Sequence, residues 1–192
     1  MKEERIKELI RACSKISSEK FIFGEGNLDA GLMLVGEAPG AKEIELGRPF
    51  VGQAGKNLDE FIDILKIKRE DIYITNIVKI RPYKINEKTG RKSNRPPKRE
   101  EIEKYKAILL KEIEIIRPDI VVTLGNHPLR AIYEDNKTTI GDLHGSALET
   151  KDNYILFPLY HPAAVIYNQK LKEVYLKDLM ILKELLARKF RI

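Results

Sequence analysis

Apolar residues along the chain fall into two kinds of pattern. Four short unbroken runs, at 32–35, 72–75, 120–124 and 154–157, read as strands buried on both faces. Between them apolar residues recur at helical spacing: Leu58, Phe61, Ile62 and Leu65 within 54–65, a further amphipathic stretch over 102–116, and Leu179, Leu182 and Leu186 towards the C-terminus. Near the N-terminus Ile6, Leu9, Ile10, Cys13 and Ile16 form one more stripe, with charges between them, which predicts a helix rather than a leader peptide. Strands alternating with helices predict right-handed crossovers and an α/β fold, a three-layer α/β/α sandwich around a central four-stranded parallel sheet. A length of 192 residues suits one such core, so 1–192 is read as a single domain. The Lys- and Pro-rich segment 83–98, with Gly90, Pro96 and Pro97, fits neither pattern and is expected to lack regular structure.

No apolar run approaches the length needed to cross a bilayer, so no membrane partner is expected. A single cysteine cannot make an intramolecular disulfide, which fits a reducing, cytoplasmic location. The net charge of +6 points to a polyanionic partner, and its distribution says more. Between Lys79 and Arg99 stand nine Lys or Arg residues against one acid, Glu87. Such a segment is either a phosphate-facing loop or a solvated loop kept basic for solubility.

In open parallel sheets the functional crevice lies outside the carboxyl ends of the strands. The first run is followed by Gly36-Glu37-Ala38-Pro39-Gly40, the second by Asn76, the third by Gly125-Asn126-His127 and the fourth by Tyr160-His161-Pro162-Ala163-Ala164. Singly, each has a plain reading as a tight reversal, a helix cap or a satisfied loop histidine. Together they bring carboxylates, an amide and an imidazole to one edge of a sheet. No Cys/His cluster has metal-ligand spacing, so no metal site is expected.

The stretch GEAPGAKEIELGRPFVGQAGKNL resembles the first signature of the family-4 uracil-DNA glycosylases; YITNIVKIRP is similar to their second strand and HPAAVIYN to their His-Pro-Ser/Ala loop. The similarity covers nearly the whole chain, PDIVVTLGN included. It implies a DNA-repair enzyme that flips uracil out of DNA and hydrolyses its N-glycosidic bond, leaving an abasic site. The implied partner is uracil-containing DNA and a monomer is expected; whether a sliding clamp recruits it is open. On this reading Phe50 is the stacking platform, and the Asn76 amide matches the O4 acceptor and N3–H donor of uracil, a pattern cytosine inverts. His161 suits uracil O2, while Glu37 and Glu43 stand near the sugar, where carboxylates favour a cationic centre or orient water. Gly36, Ala38 and Gly40 line the pocket. DNA contacts are expected from Lys84, Lys88, Arg91, Lys92 and Arg95, and from Ala164, Val165 and Ile166, where an apolar side chain would wedge into the vacated stack.

The chain also departs from its likeness. Family-1 enzymes carry a catalytic Asp where Ala38 stands, so the resemblance implies the family-4 chemistry of Glu37, Glu43 and His161. Val165-Ile166-Tyr167 replaces the usual Leu-Leu-Arg. The 79–99 connection is longer than in ordinary family-4 enzymes and is similar to the insertion of a DNA-crosslinking relative; Asn94 stands in place of the histidine that bonds covalently there, so no covalent trap is expected. His127 and His144 read as structural or DNA-backbone residues. Family-4 enzymes hold a 4Fe–4S cluster with four cysteines, whereas here Cys13 is joined by Ile16, Ile80 and Tyr105 at the other three places. No cofactor is therefore expected, and a small hydrophobic contact is expected in its stead. Two alternatives stay open: a glycosylase for hypoxanthine or xanthine, and a non-catalytic protein binding uracil or single-stranded DNA. The joint presence of Glu37, Asn76 and His161 argues against the second.

Overall fold

A computed structural model of the chain describes residues 1–166 and 168–190, with Ile166 and Gln169 described by their backbone alone. The first half contains α1 (Lys2–Ser14), β1 (Glu25–Gly26), β2 (Leu32–Gly36), α2 (Ala41–Leu46), α3 (Gln53–Leu65), β3 (Tyr73–Asn76), β4 (Tyr83–Ile85) and β5 (Lys92–Asn94). The second contains α4 (Arg99–Ile116), β6 (Ile120–Leu124), α5 (Asn126–Tyr133), α6 (Ile140–Leu143), β7 (Leu148–Glu149), β8 (Ile155–Leu159), α7 (Pro162–Ile166) and α8 (Gln169–Phe190).

The main sheet runs in the order β1-β3-β2-β6-β8-β7. Its centre, β3-β2-β6-β8, is parallel and corresponds to the four apolar runs. The expected four-stranded sheet is thus the middle of a six-stranded one, because β1 and β7 add an antiparallel edge on each side. Each edge strand has two residues, too few to leave a hydrophobic pattern.

Side chains alternate across the pleat, so each apolar strand feeds two cores. Met33, Val35, Tyr73 and Val121 join the side chains of α1, α4 and α5; Leu32, Leu34, Ile74, Val122 and Phe157 join those of α3 and α8. Each fully buried aliphatic or aromatic side chain contributes about 1.5–3 kcal/mol of transfer free energy. From β2 the chain crosses one way to β3 and then back past β2 to β6, so the direction of winding reverses between β2 and β6. The crevice at their carboxyl ends is where ligands sit in folds of this type.

Helix α1 stops at Ser14, two residues short of the expected stripe, and Ile16 packs on the core from the following turn. Cys13, Ile80 and Tyr105 are buried in the same core. Ile80 also bridges to Phe21 in antiparallel fashion. Three distant segments therefore contribute side chains to one apolar core, and burial pushes the Cys13 thiol pKa up.

Lys79 is not part of the basic surface to which its sequence neighbours assign it. Its ammonium is fully buried and paired with the equally buried Glu112 of α4. It also donates to Thr75 Oγ1 at 2.7 Å and to the Asn76 carbonyl at 2.8 Å, while the Tyr73 and Thr75 hydroxyls each donate to Glu112 at 3.1 Å. A buried pair survives only when its remaining donors and acceptors are met, as here.

The segment 83–98 is likewise more ordered than its composition predicts. Strands β4 and β5 pair as an antiparallel hairpin, Tyr83 opposite Asn94 and Ile85 opposite Lys92. Its turn is closed locally: Asn86 Oδ1 accepts from the amides of Lys88 and Thr89 at 3.0 and 3.1 Å, and Gly90 takes the left-handed conformation at φ +65°.

Removing one partner of the buried pair leaves the other charge uncompensated. Lys79→Met or Glu112→Leu is expected to lower unfolding free energy by about 3–5 kcal/mol, and the double variant by much less than the sum. Urea unfolding of all four proteins measures this.

Candidate active site

The residues that follow β2, β3 and β8 surround a cleft of about 460 Å³ whose lining includes Glu37, Glu43, Phe50, Asn76, Asn94 and His161. Gly36 and Asn76 are paired in register at the ends of β2 and β3. A Cβ on Gly36 would collide with both Asn76 Oδ1 and the edge of the Phe50 ring. The missing side chain is what lets amide and ring approach each other. Phe50 reaches this place with φ at +51°, a left-handed conformation that non-glycine residues adopt at a cost of about 1–3 kcal/mol. The chain can turn there because Gly55 packs directly on the Phe50 carbonyl, where any Cβ would clash. Ala38 and Gly40 also line the cleft.

The Asn76 side chain is nearly buried, and its own carbonyl is held by Lys79. Glu37 continues the β2–β3 ladder through its carbonyl, which accepts from Val78 N–H at 3.0 Å. Its carboxylate meets His127 Nδ1 at 2.7 Å, a bond that spans the winding reversal between β2 and β6.

Glu43 has a different task from Glu37. One carboxylate oxygen accepts from Gly40 N–H at 3.1 Å and the other from Gly52 N–H at 3.3 Å. It closes the first turn of α2 and ties the two glycine-rich loops together across the floor of the cleft.

His161 follows β8, and its Nδ1 accepts the Ala163 backbone N–H at 3.2 Å. A nitrogen that accepts carries no hydrogen, so the neutral ring has its hydrogen on Nε2. Burial holds the imidazole below its usual 6.5, with the nearby Glu37 charge opposing that shift. His161 therefore enters the cleft as a neutral donor.

The remaining expected residues divide. Lys84, Lys88, Arg91 and Lys92 are exposed on the β4–β5 hairpin. Arg95 lines the cleft, but its guanidinium makes two 2.7 Å bonds to Glu101, whose carboxyl it holds below the usual range. Ala164 is exposed, whereas Val165 is 8% exposed and packs into the α3–α8 core. The turn made when Ala164 N–H bonds the His161 carbonyl at 2.8 Å directs Val165 inward, so Val165 is no free wedge in this conformation. The side chain of Ile166 and the whole of Tyr167 lie outside the described residues. His144 bonds Asp178 at 2.9 Å and packs against the Tyr160 ring, anchoring α8 beside the His161 loop.

Two contributors were not legible beforehand. A lone histidine beside a glycine carries no signal for the Glu37 contact of His127. Composition gives Asn94 only a long loop; the hairpin carries it to the cleft, where Arg81 Nε donates to its Oδ1 at 2.7 Å and leaves Nδ2 near Gly40. Among the described residues no group of three or more His, Cys, Asp or Glu side chains is arranged to hold a metal ion, and no helix is long and apolar enough to cross a membrane.

A model of the uracil DNA glycosylase superfamily matches residues 23–181. The type-4 uracil-DNA glycosylase of Sulfurisphaera tokodaii is 39% identical over 193 aligned residues, spanning 95% of this chain and 84% of that protein. Its counterpart in Thermotoga maritima is 35% identical, spanning 92% and 88%. The type-5 uracil-DNA glycosylase of Pyrobaculum aerophilum is 31% identical, spanning 74% and 66%.

The depressed His161 pKa has a consequence for stability. Below about 6.5 the unfolded imidazole takes up a proton that the folded one refuses, so stability is lost as pH falls from 6.5 through the lower folded value. Unfolding free energy measured from pH 8 to pH 5 should fall more steeply for the wild type than for His161→Phe.

Proposed function

The chain belongs to the uracil DNA glycosylase superfamily, and from that premise we propose how its cleft excises uracil from DNA in base-excision repair. The carrying observation is that the Asn76 amide and the Phe50 ring converge over Gly36, with His161 on the same cleft. A base turned out of the stack needs a flat apolar face and partners for its Watson–Crick edge. Phe50 offers the first. Asn76 offers an amide that can donate to O4 and accept from N3–H.

Hydrolysis of the N-glycosidic bond leaves negative charge on the departing uracil and positive charge on the sugar. His161, neutral and with its hydrogen on Nε2, donates to the oxygen that gains charge. Glu37 supplies the carboxylate for the sugar cation or the attacking water, and His127 fixes the direction of that carboxylate. We assign the reacting role to Glu37 rather than Glu43, since both oxygens of Glu43 are engaged by the loop amides. Glu43 acts by keeping the loops in place. Every group named lies on one chain, which supports action as a monomer.

The 4Fe–4S cluster of family-4 enzymes does not fit the residues present. The place offers one thiol, from Cys13, among the side chains of Ile16, Ile80 and Tyr105, and a cubane cluster needs about four thiolates. We propose that the apolar contact takes over its joining role.

Oligonucleotides each bearing one uracil, hypoxanthine or xanthine, followed by alkali cleavage, test the activity; release of uracil is expected, and inertness towards it would overturn the reading. Asn76→Asp, which keeps the shape but loses the donor, should reduce uracil excision far more than DNA affinity. Lys88→Ala and Arg91→Ala should do the converse, each lowering the salt slope of binding by about one or less. Protein purified anaerobically should be colourless and free of stoichiometric iron, and Cys13→Ala should excise uracil normally.

A further inference from the structure

In an antiparallel pair, residues directly opposite share a face, and alternate residues return to it. Asn94, opposite Tyr83, lines the cleft; Lys92, opposite Ile85, lies on the same face, and Lys84 and Ser93 lie on the other. The side-chain contacts agree. Arg81 bonds Asn94, the Lys92 ammonium sits 4.3 Å from the Tyr83 ring centroid, and the Arg81 guanidinium sits 6.0 Å from it. Ile85, further out on this face, is 56% exposed. The wall of the cleft thus continues outward as an aromatic ring, an apolar side chain and two cations.

We propose that this face of the hairpin is a subsite for the nucleotide next to the target, with its base on Tyr83 and Ile85 and its phosphate on Lys92. The proposal rests on reading the cleft as the uracil pocket. The occupant follows from continuity and charge. A strand whose uracil is turned into the cleft must leave it past the rim, and the rim beside Asn94 combines a stacking surface with cations, as in proteins that hold single strands. Lys92, exposed on a flexible stem, can pass from the ring to a phosphate and bare the ring for the base. Ile85 lies about 7 Å beyond Tyr83 along the strand, so the two span a surface wide enough for one base.

The test compares single-stranded oligonucleotides carrying one uracil with the same strands in which the neighbour on one side, 5′ or 3′, is an abasic spacer. For the wild type, the spacer on one side should raise KM by about five-fold or more, the lower range of base–aromatic stacking. Tyr83→Ala and Ile85→Ser should raise KM on the ordinary strand and blunt the response to the spacer, whereas Tyr83→Phe should behave as wild type. The salt slope of binding should stay unchanged in Tyr83→Ala, because no cation is removed. A wild-type KM indifferent to the spacer on both sides, or a Tyr83→Ala protein that responds to it fully, overturns the proposal. A reduced salt slope in Tyr83→Ala also overturns it, since that would mean the residue only holds the cations in place. If the wild type releases no uracil from any strand, the reading of the cleft falls instead, and that result needs no variant to recognise.

Discussion

The buried contact between Lys79 and Glu112 is the constraint on which the site depends. Two charges taken out of water cost several kcal/mol each unless every hydrogen bond they can make is made. Tyr73, Thr75 and the Asn76 carbonyl meet that demand, and in doing so they fix the end of β3 against α4. Asn76 sits at the point where the sheet gives way to loops, where backbone order usually decays. The buried pair holds the backbone of that residue, on which base selection rests in the proposed function, through the bond from Lys79 to its carbonyl.

The rest of the cleft is held by similar means, through polar groups committed to backbone or to one another. Glu43 clamps two glycine-rich loops, the Ala163 amide fixes the His161 ring, and Arg81 orients the Asn94 amide. Only Phe50 is held against its preference, and the conformational cost at that residue is met by the close packing of Gly55. A reacting group that is oriented beforehand loses little freedom when substrate arrives.

Much of this was legible in the sequence, and the failures have physical causes. Strands buried on both faces are unbroken apolar runs, so β2, β3, β6 and β8 were visible to within a residue or two, and the residues after β2, β3 and β8 marked the cleft. Strands β1 and β7 are held by pairing alone and leave no such trace. Composition alone misread two basic residues, because Glu112 and Glu101, which neutralise Lys79 and Arg95, come from α4. The hairpin was hidden for a related reason: its order comes from the Asn86 turn and ladder bonds, while its side chains are polar enough to pass for a loop. The sequence neighbours of Val165 suggest an exposed loop, and the turn after His161 points it inward.

The two-residue edge strands have a meaning of their own. A parallel sheet with open margins presents rows of unpaired amides and carbonyls that another copy can join, and such joining is how many proteins aggregate. Here the margins are closed by strands too short to template a further one. On the proposed function, copies of the chain gathered along DNA meet one another at high local density. With so little ladder on offer, those encounters can end without the copies knitting into a common sheet.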